Sequence, residues 1–295
     1  MTDAPDDRIQ ALGIWDGPIE ISALTGGITN RNYLVKDSAR RYVVRLGSDI
    51  PVHHISRSNE LAASCAAHAA GLSPAVVHHR PGVLVLDYID ARPLSVKAIG
   101  QGEMLERVVQ LVRQAHRTVG LHLRGPAGMF WSFHIAADYV ATLRDSGSRH
   151  AHLLGGLLDK VHRLEQAAGP FDIVFCHNDL LASNFLDDGQ RLWLIDWDYA
   201  GFNTPLFDLG GLASNNGFTA EQEATMLDVY HAGAGERGLK RRYEAMKCAS
   251  LLRETLWSMV SEIHSTIDFD YAAYTADNLA RFERAYDLFQ TGDNQ

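Results

Sequence analysis

Four polar residues in the second half of the chain have the types and spacing of a metal-assisted reaction centre. His177, Asp179 and Asn184 form an H-x-D-x-x-x-x-N pattern, and Asp196 follows at the end of the apolar run LWLID. Mg²⁺ prefers oxygen ligands, and an amide and a carboxylate can supply them together with phosphate oxygens and water. Asn184 and Asp196 are therefore the expected magnesium ligands, and Asp179 can accept the proton of a substrate hydroxyl. The chemistry that this pattern predicts is phosphoryl transfer.

A predicted hairpin brings the two metal ligands together. Strands over residues 184–186 and 192–195, joined by a turn at Asp188-Gly189, place Asn184 close to Asp196. An H-x-D sequence alone is also typical of an ordinary polar loop after a buried strand. The asparagine, the hairpin and the following I-D-W-D-Y-A-G run together favour the catalytic interpretation.

The segments HNDLLASN and IDWDYAG resemble choline and ethanolamine kinases, within the aminoglycoside-phosphotransferase group of kinase-like enzymes. Protein kinases have D-F-G in the second segment, where this chain has D-W-D. The resemblance covers most of the chain and implies an α+β, two-lobed, protein-kinase-like fold. The β-rich N-lobe, residues 1–88, would bind nucleotide, and the mainly helical C-lobe, residues 89–295, would hold the catalytic and substrate residues. It also implies ATP- and Mg²⁺-dependent phosphorylation of a small cationic alcohol, choline or ethanolamine first.

The segment GGITNRNYLV is similar to the nucleotide loop of choline kinases. Gly26 and Gly27 would let the main chain approach a phosphate, and Thr29 and Asn30 would add side-chain donors. An ordinary β-turn is the alternative for the two glycines by themselves. No G-K-[ST] follows, which excludes a Walker A motif.

Arg45 stands near the end of the alternating run RYVVRL, which predicts a strand over residues 41–46. The resemblance implies that Arg45 takes the place of the phosphate-binding lysine of protein kinases and pairs with Glu60, on a helix over 57–70. Two unrelated surface charges are the alternative. The segment LDYI, which contains Leu86 and Tyr88, looks like the hinge whose main-chain amide groups would bind adenine.

Beyond Pro93 the apolar period changes from two to 3.6, which predicts helices. In the helix over residues 102–120, His116 lies in the apolar stripe, and we interpret it as a packed core residue. Asp208 resembles the structural aspartate that caps the amide groups of the catalytic loop, with capping of its own helix as the alternative. We place it with His177 and Asp179 among the catalytic residues.

The C-terminal segment RETLWSMVSEIHSTIDFDYAAY also resembles choline kinases, in which aromatic rings surround a quaternary ammonium. The aromatic positions implied here are Trp257, Phe269, Tyr271 and Tyr274, with Trp257 and Tyr274 as first choices. An aromatic stripe that closes an ordinary helical core is the alternative.

Three residues near this predicted pocket depart from the family pattern. Glu254 stands where a second tryptophan is expected, and Asn215 stands where a glutamate is expected. Either the negative charge has moved to Glu254, or the substrate has changed. Asp198, where eukaryotic members have Glu, could add negative charge to the substrate site.

The composition excludes several other classes of protein. A net charge of −9 over 295 residues gives no basic footprint for nucleic acid. Three scattered cysteines indicate a reducing compartment, and no apolar run reaches membrane-spanning length. We expect a cytoplasmic enzyme that binds neither nucleic acid nor membranes, with homodimer formation left open.

Three alternatives to the choline or ethanolamine acceptor remain. Thiamine or an aminoglycoside could be phosphorylated by the same machinery. If the acceptor is another hydroxyl compound, such as a sugar or homoserine, the C-terminal rings would be ordinary core residues. A non-catalytic nucleotide-binding protein is the alternative from another class, which the intact base and metal positions disfavour.

Overall fold

The computed structural model describes four segments of the chain, which are residues 4–24, 30–170, 172–234 and 237–292. The predicted phosphate-binding residues Gly26, Gly27 and Thr29 lie outside the described residues. Within these segments, no helix is long and apolar enough to cross a membrane.

The N-terminal part of the chain forms a five-stranded antiparallel sheet, with strand order β1-β2-β3-β5-β4. Its strands are β1 (Glu20–Leu24), β2 (Arg31–Lys36), β3 (Arg41–Leu46), β4 (Val76–Arg80) and β5 (Val83–Asp87). Side chains alternate between the two faces of a strand. Tyr42, Val44 and Leu46 of β3 therefore share one buried face, which packs against Ile9 of the short helix α1 (Pro5–Gln10). Arg45 consequently belongs to the opposite face of the sheet.

Helix α2 (Arg57–Ala69) connects β3 to β4 and brings Glu60 to Arg45. The helix ends just before Gly71, whose φ of +78° is the left-handed conformation that glycine adopts most easily after a helix. Between β3 and α2, a 3₁₀ turn (Pro51–His53) buries His53 against the C-terminal helices.

The rest of the chain is mainly helical, and one long helix is at its centre. The helices are α3 (Val96–Ile99), α4 (Gly102–His122), α5 (Ser132–Asp145), α6 (Leu154–Ala168), α7 (Pro205–Asn215), α8 (Ala220–His231), α9 (Leu239–His264) and α10 (Tyr271–Thr291). Helix α9 packs against α5, α6, α7 and α10. Gly210 of α7 permits this approach, because a Cβ there would lie 2.7 Å from the Cα of Lys247.

Two small sheets hold the segment that carries the predicted reaction centre. One has the order β6-β8-β9, formed by Arg92–Pro93, Phe185–Asp187 and Leu192–Leu194. The other pairs β7 (Val174–Cys176) with β10 (Gly201–Asn203). The loop from His177 to a 3₁₀ turn (Ala182–Asn184) lies between β7 and β8, so both of its ends are fixed by strands.

The predicted α+β class is confirmed, with the sheet in the N-terminal part and helices in the C-terminal part. The division into lobes at residues 88 and 89 stays a prediction. Sequence reasoning missed β6 (Arg-Pro) and β10 (Gly-Phe-Asn), because neither has the apolar run that indicated a strand at β9.

Candidate active site

The catalytic loop is held in place by Asp208, at the start of α7. The Asp208 carboxylate accepts hydrogen bonds from the main-chain N–H groups of His177 (2.8 Å) and Asn178 (2.7 Å). Asn178 has a φ of +66°, an uncommon conformation for a residue with a side chain, which these bonds maintain. The chain therefore turns sharply just before Asp179.

His116 of α4 supports Asp208 from the other side. Its Nε2 lies 2.9 Å from Asp208 Oδ2, and its Nδ1 lies 2.8 Å from the hydroxyl of Tyr230. Burial acts to raise the pKa of Asp208, but the hydrogen bond and charge of His116 lower it overall. His116 is buried, as predicted, and it also has this polar role, which sequence reasoning missed.

Replacing Asp208 should loosen the whole loop. In Asp208→Asn an NH₂ group faces donors, so at least one buried N–H loses its acceptor, and we expect a loss of about 3 kcal/mol in the free energy of unfolding. Denaturant unfolding measures this loss. Asp188→Asn is the matched control, because Asp188 also accepts main-chain N–H groups but is exposed, so its loss should be much smaller. Equal losses would contradict this role for Asp208.

His177 positions the loop rather than facing a substrate. Its Nε2 lies 2.9 Å from the carbonyl oxygen of Ile195, and its Nδ1 accepts the N–H of Asp179 at 3.3 Å. Burial lowers the pKa of His177, which fits a neutral ring that donates through Nε2. The ring thus ties Asp179 to the strand end that carries Asp196.

The carboxylate of Asp179 is free for a ligand. The main-chain carbonyl of Asp179 accepts the Asn184 amide at 3.0 Å, whereas no hydrogen bond to its carboxylate is formed within the described residues. Burial raises the pKa of Asp179 well above the ordinary range; Arg253 opposes this shift and Glu254 adds to it. The carboxylate is therefore a stronger base than an exposed one, placed close to charged residues of α9.

Asn184 and Asp196 fit a hard cation. Because the amide nitrogen of Asn184 is bound to the carbonyl of Asp179, its amide oxygen is left as the available ligand atom. Asp196 Oδ1 is buried without a hydrogen bond in the described residues, although it lies 2.7 Å from Arg45 Nη1. That contact is an ion pair without hydrogen-bond geometry. A carboxylate oxygen and an amide oxygen at neighbouring strand ends are the donor set that Mg²⁺ prefers.

Arg45 joins the sheet to this centre through ion pairs. Its Nη1 lies 2.5 Å from Glu60 Oε1, so the structure forms the predicted pair. Burial acts to lower the pKa of Arg45, but Asp196 and Glu60 raise it overall, which keeps the guanidinium charged. A charged, buried guanidinium beside the proposed metal ligand is placed to meet phosphate oxygens.

Asp198 belongs to a second polar network between the sheet and the helical part. Its Oδ2 accepts the amide of Asn30 at 3.0 Å, and Asn30 Oδ1 accepts Arg57 Nη2 at 2.6 Å. Burial, and then the neighbouring Asp196, raise the pKa of Asp198 to about 7. The structure thus brings Asp198 together with Asn30 and Arg57, and not with the aromatic rings.

Some main-chain amide groups of the predicted hinge already donate hydrogen bonds within the protein. The N–H of Tyr88 donates to Arg41, and the N–H of Asp87 donates to Ala75. The guanidinium of Arg41 also stacks on the Tyr88 ring at 4.2 Å. Leu86, beside them, lines a narrow space together with Arg45 and Asp196. The N–H of Ala91 also donates, to the carbonyl of Ile89, so an adenine would be left with the amide groups of Ile89 and Asp90.

The four predicted aromatic residues form one cluster. Their edge-to-face contacts have centroid separations from 5.0 Å (Phe269–Tyr271) to 6.4 Å (Trp257–Tyr274). Trp257 and Tyr271 are buried, whereas Tyr274 is half-buried and Phe269 is exposed. Trp257 donates to the Tyr199 hydroxyl and lines a cavity of about 210 Å³ with Tyr271. The open surface of the cluster is consequently formed by Phe269 and Tyr274.

Glu254 lies next to this open surface and is held from two sides. Tyr274 donates its hydroxyl to Glu254 Oε1 at 2.8 Å, and Arg253 Nη1 donates to Oε2 at 2.8 Å. Burial and the Glu254 charge raise the pKa of Tyr274, so its hydroxyl stays a donor. Asn215, the other departure, ends α7 and is half-buried.

Comparison with known proteins identifies the family. Residues 20–246 match the family described as "Phosphotransferase enzyme family". The chain belongs to this family. Protein LicA of Haemophilus influenzae is 26% identical over 90% of this chain and 78% of its own length. The probable ethanolamine kinase A of Dictyostelium discoideum is 27% identical over 92% of this chain and 86% of its own length.

Solved structures of the phosphotransferase family share the fold. A choline/ethanolamine kinase family protein from Mesorhizobium loti superposes with a TM-score of 0.76, at 28% identity, over 95% of this chain and 94% of its own. Structures at lower identity contain nucleotides: LicA with AMP (TM-score 0.72, 22%) and an aminoglycoside phosphotransferase with AMP-PNP and hygromycin B (TM-score 0.68, 17%). The predicted kinase-like fold and the predicted class, a small-molecule phosphotransferase, are confirmed.

One further group of ligand-type side chains in this phosphotransferase is not suited to a metal. His116, Cys176 and Asp208 lie within 4.8 Å of one another. The Asp208 oxygens already accept two main-chain N–H groups, and burial raises the pKa of the Cys176 thiol well above its usual value. The thiol stays protonated and donates to the carbonyl of Thr204. The group therefore supports the catalytic loop.

Proposed function

We propose that this phosphotransferase transfers the γ-phosphoryl group of ATP to the hydroxyl of a small cationic alcohol, with ethanolamine and choline as the first candidates. The observation that carries the proposal is the position of the Asp179 carboxylate. It makes no hydrogen bond in the described residues, and the His177 ring ties its main chain to Ile195, the residue before Asp196. The charge of Glu254 also acts on it and contributes to its raised pKa. A hydroxyl at Asp179 would thus have phosphate-binding groups on one side and a cation-binding group on the other.

On the nucleotide side, Asn184 and Asp196 would hold Mg²⁺, which, when bound, neutralises charge on the phosphates. Arg45 would exchange part of its contact with Asp196 for a phosphate oxygen while keeping Glu60. Asn30, with Gly26, Gly27 and Thr29 before it, would complete the phosphate contacts. The nucleotides in homologous structures support ATP as the donor.

At the reacting hydroxyl, Asp179 would orient the O–H group and take its proton. The raised pKa of this carboxylate brings it closer to that of a useful base at neutral pH. The His177 ring and the Asn184 amide keep the Asp179 main chain fixed, so the carboxylate is positioned in advance.

On the acceptor side, Glu254 and the rings of Tyr274 and Phe269 would receive the cationic end. A carboxylate that is already fixed by two hydrogen bonds attracts an ammonium group, and aromatic faces add cation–π attraction of about 0.5–2 kcal/mol. Trp257, which sequence analysis chose first together with Tyr274, would support the Tyr274 ring by an edge-to-face contact. A primary ammonium can hydrogen-bond to Glu254, which supports ethanolamine somewhat more than choline.

The proposal is tested by ADP release with ATP and Mg²⁺ against choline, ethanolamine, thiamine, kanamycin and homoserine. Saturable turnover of ethanolamine or choline is expected. Turnover limited to kanamycin or homoserine would refute the acceptor class while keeping the phosphotransfer centre. Nucleotide binding without ATP consumption on any acceptor would support a non-catalytic protein instead.

Tyr274→Phe tests the acceptor site without removing a ring. The change deletes one hydrogen bond to Glu254, so the KM for the acceptor should rise by about three- to tenfold, with kcat little changed. The matched control is Tyr271→Phe, because the Tyr271 hydroxyl bonds to Ser265 and not to Glu254. Initial-rate kinetics with both variants make the comparison. Equal KM values for the two variants would argue against Glu254 as the cation-binding group.

A further inference from the structure

Arg253 is a buried cation that lies next to the proposed acceptor site. It is 4% exposed, and its Nη1 donates to Glu254 Oε2. Its Nε and Nη2 are buried without a hydrogen-bond partner in the described part of the chain. The guanidinium carbon lies 4.3 Å from the centroid of the Tyr199 ring. Sequence reasoning assigned no role to this residue.

Burying Arg253 lowers the stability of the fold, so stability does not explain why an arginine stands at this position. Two unpaired donors and a desolvated charge are only partly offset by one ion pair and two cation–π contacts, with the rings of Tyr199 and Phe130. An apolar side chain of similar length would fill the same space without this cost. A buried polar group that is not satisfied calls for a functional explanation.

Arg253 is connected to both the catalytic loop and the aromatic cluster. The ring beneath it belongs to Tyr199, whose carbonyl accepts the side-chain amide of Asn178, next to Asp179. The hydroxyl of the same tyrosine accepts Trp257 Nε1. The arginine is thus fixed at the point where the reacting hydroxyl and the cationic end of an acceptor would meet.

The acceptor side of this point has one net negative charge when Asp179 is ionised, as its role of base requires. On the nucleotide side, the carboxyl groups of Glu60, Asp196 and Asp198 form ion pairs with two guanidinium groups, those of Arg45 and Arg57. On the acceptor side, Glu254 and the ionised form of Asp179 carry two negative charges, and Arg253, which is paired with Glu254, supplies one positive charge. Removing the arginine would leave a site with two negative charges.

We propose that Arg253 is a positioning residue that sets the charge specificity of the acceptor site. It fixes the Glu254 carboxylate and balances one of two negative charges, so that the site matches an acceptor with a single positive charge and disfavours polycations. This inference rests on the proposed function and deepens it by naming the residue that favours a monocationic acceptor over a polycationic one.

The test compares kcat/KM for ethanolamine and for diaminopropanol, an alcohol with two positive charges at neutral pH. In Arg253→Met, the ratio of diaminopropanol to ethanolamine should rise by about tenfold, which corresponds to about 1.4 kcal/mol. Arg253→Lys keeps the charge and should keep the wild-type ratio. Glu254→Gln removes the opposite charge and should lower the ratio.

A merely structural role would reduce kcat/KM for both acceptors in the same proportion and leave the ratio unchanged. If Arg253→Met does not fold, Arg253→Gln gives the same comparison with a polar, neutral side chain. Wild-type turnover of ethanolamine, with an unchanged ratio in the neutral variant, overturns the inference and leaves the proposed function intact. Absence of wild-type turnover on every cationic alcohol overturns both.

Discussion

Asp179→Asn should lower kcat by about a thousandfold while leaving the fold intact, since a positioned base contributes about 10²–10⁴ to the rate. The amide has nearly the same shape but cannot accept the proton of the acceptor hydroxyl. The loop should not rearrange, because the bonds that hold Asp179 use its main-chain N–H and carbonyl and not its carboxylate. Steady-state ADP release gives kcat, and thermal unfolding checks the fold.

The matched control for this change is Asp187→Asn, which alters another partly exposed aspartate on the neighbouring strand β8. This variant should turn over at close to the wild-type rate.

The pH dependence of the wild-type enzyme gives a second check on the role of Asp179. The active form of Asp179 is ionised, so wild-type kcat/KM should fall as the pH drops through a pKa that lies above 3.8. Asp179→Asn with near-normal kcat would contradict the role of base.

Asp196→Asn should abolish the dependence of turnover on Mg²⁺ and lower kcat/KM by about a thousandfold or more. The change replaces the only carboxylate of the proposed ligand pair by a neutral amide, and phosphoryl transfer depends on neutralising phosphate charge. Arg45 loses one partner but keeps Glu60, so the sheet should remain attached to the site. Rates measured against free Mg²⁺ concentration test the first expectation.

Titration calorimetry gives a measurement for Asp196 that does not depend on turnover. Mg²⁺ should tighten ADP binding to the wild type and have little effect on Asp196→Asn. Asp198→Asn is the matched control, two residues away, and should keep the effect of Mg²⁺, since Asp198 is bound to Asn30. Unchanged Mg²⁺ enhancement in Asp196→Asn would remove this residue from the metal site.

The site residues that sequence reasoning could place near one another are those that are close in the chain. Asp179, Asn184 and Asp196 lie within one loop and one hairpin, so their spacing alone places the ligands close together. The Arg45–Glu60 pair could also be predicted from the sequence, because a strand and the helix that follows it bring the two side chains together.

The residues that sequence missed act between distant segments. His116 supports Asp208 from 92 positions earlier in the chain, and in sequence it reads as one more residue of an apolar stripe. Arg253 was missed for a similar reason. A charged residue in a long helix usually indicates an exposed face, whereas Arg253 is buried. The aromatic residues were recognised by type, but their burial was not, because which rings are open depends on how α9 and α10 pack.

Phosphorus NMR of the reaction mixture is the most direct test of phosphoryl transfer to a cationic alcohol. With ATP, Mg²⁺ and ethanolamine or choline, we expect a new phosphomonoester resonance that grows as the γ-phosphate of ATP disappears, and no such resonance with Asp179→Asn. Release of inorganic phosphate alone, or no change in the ATP resonances with either alcohol, would contradict the account.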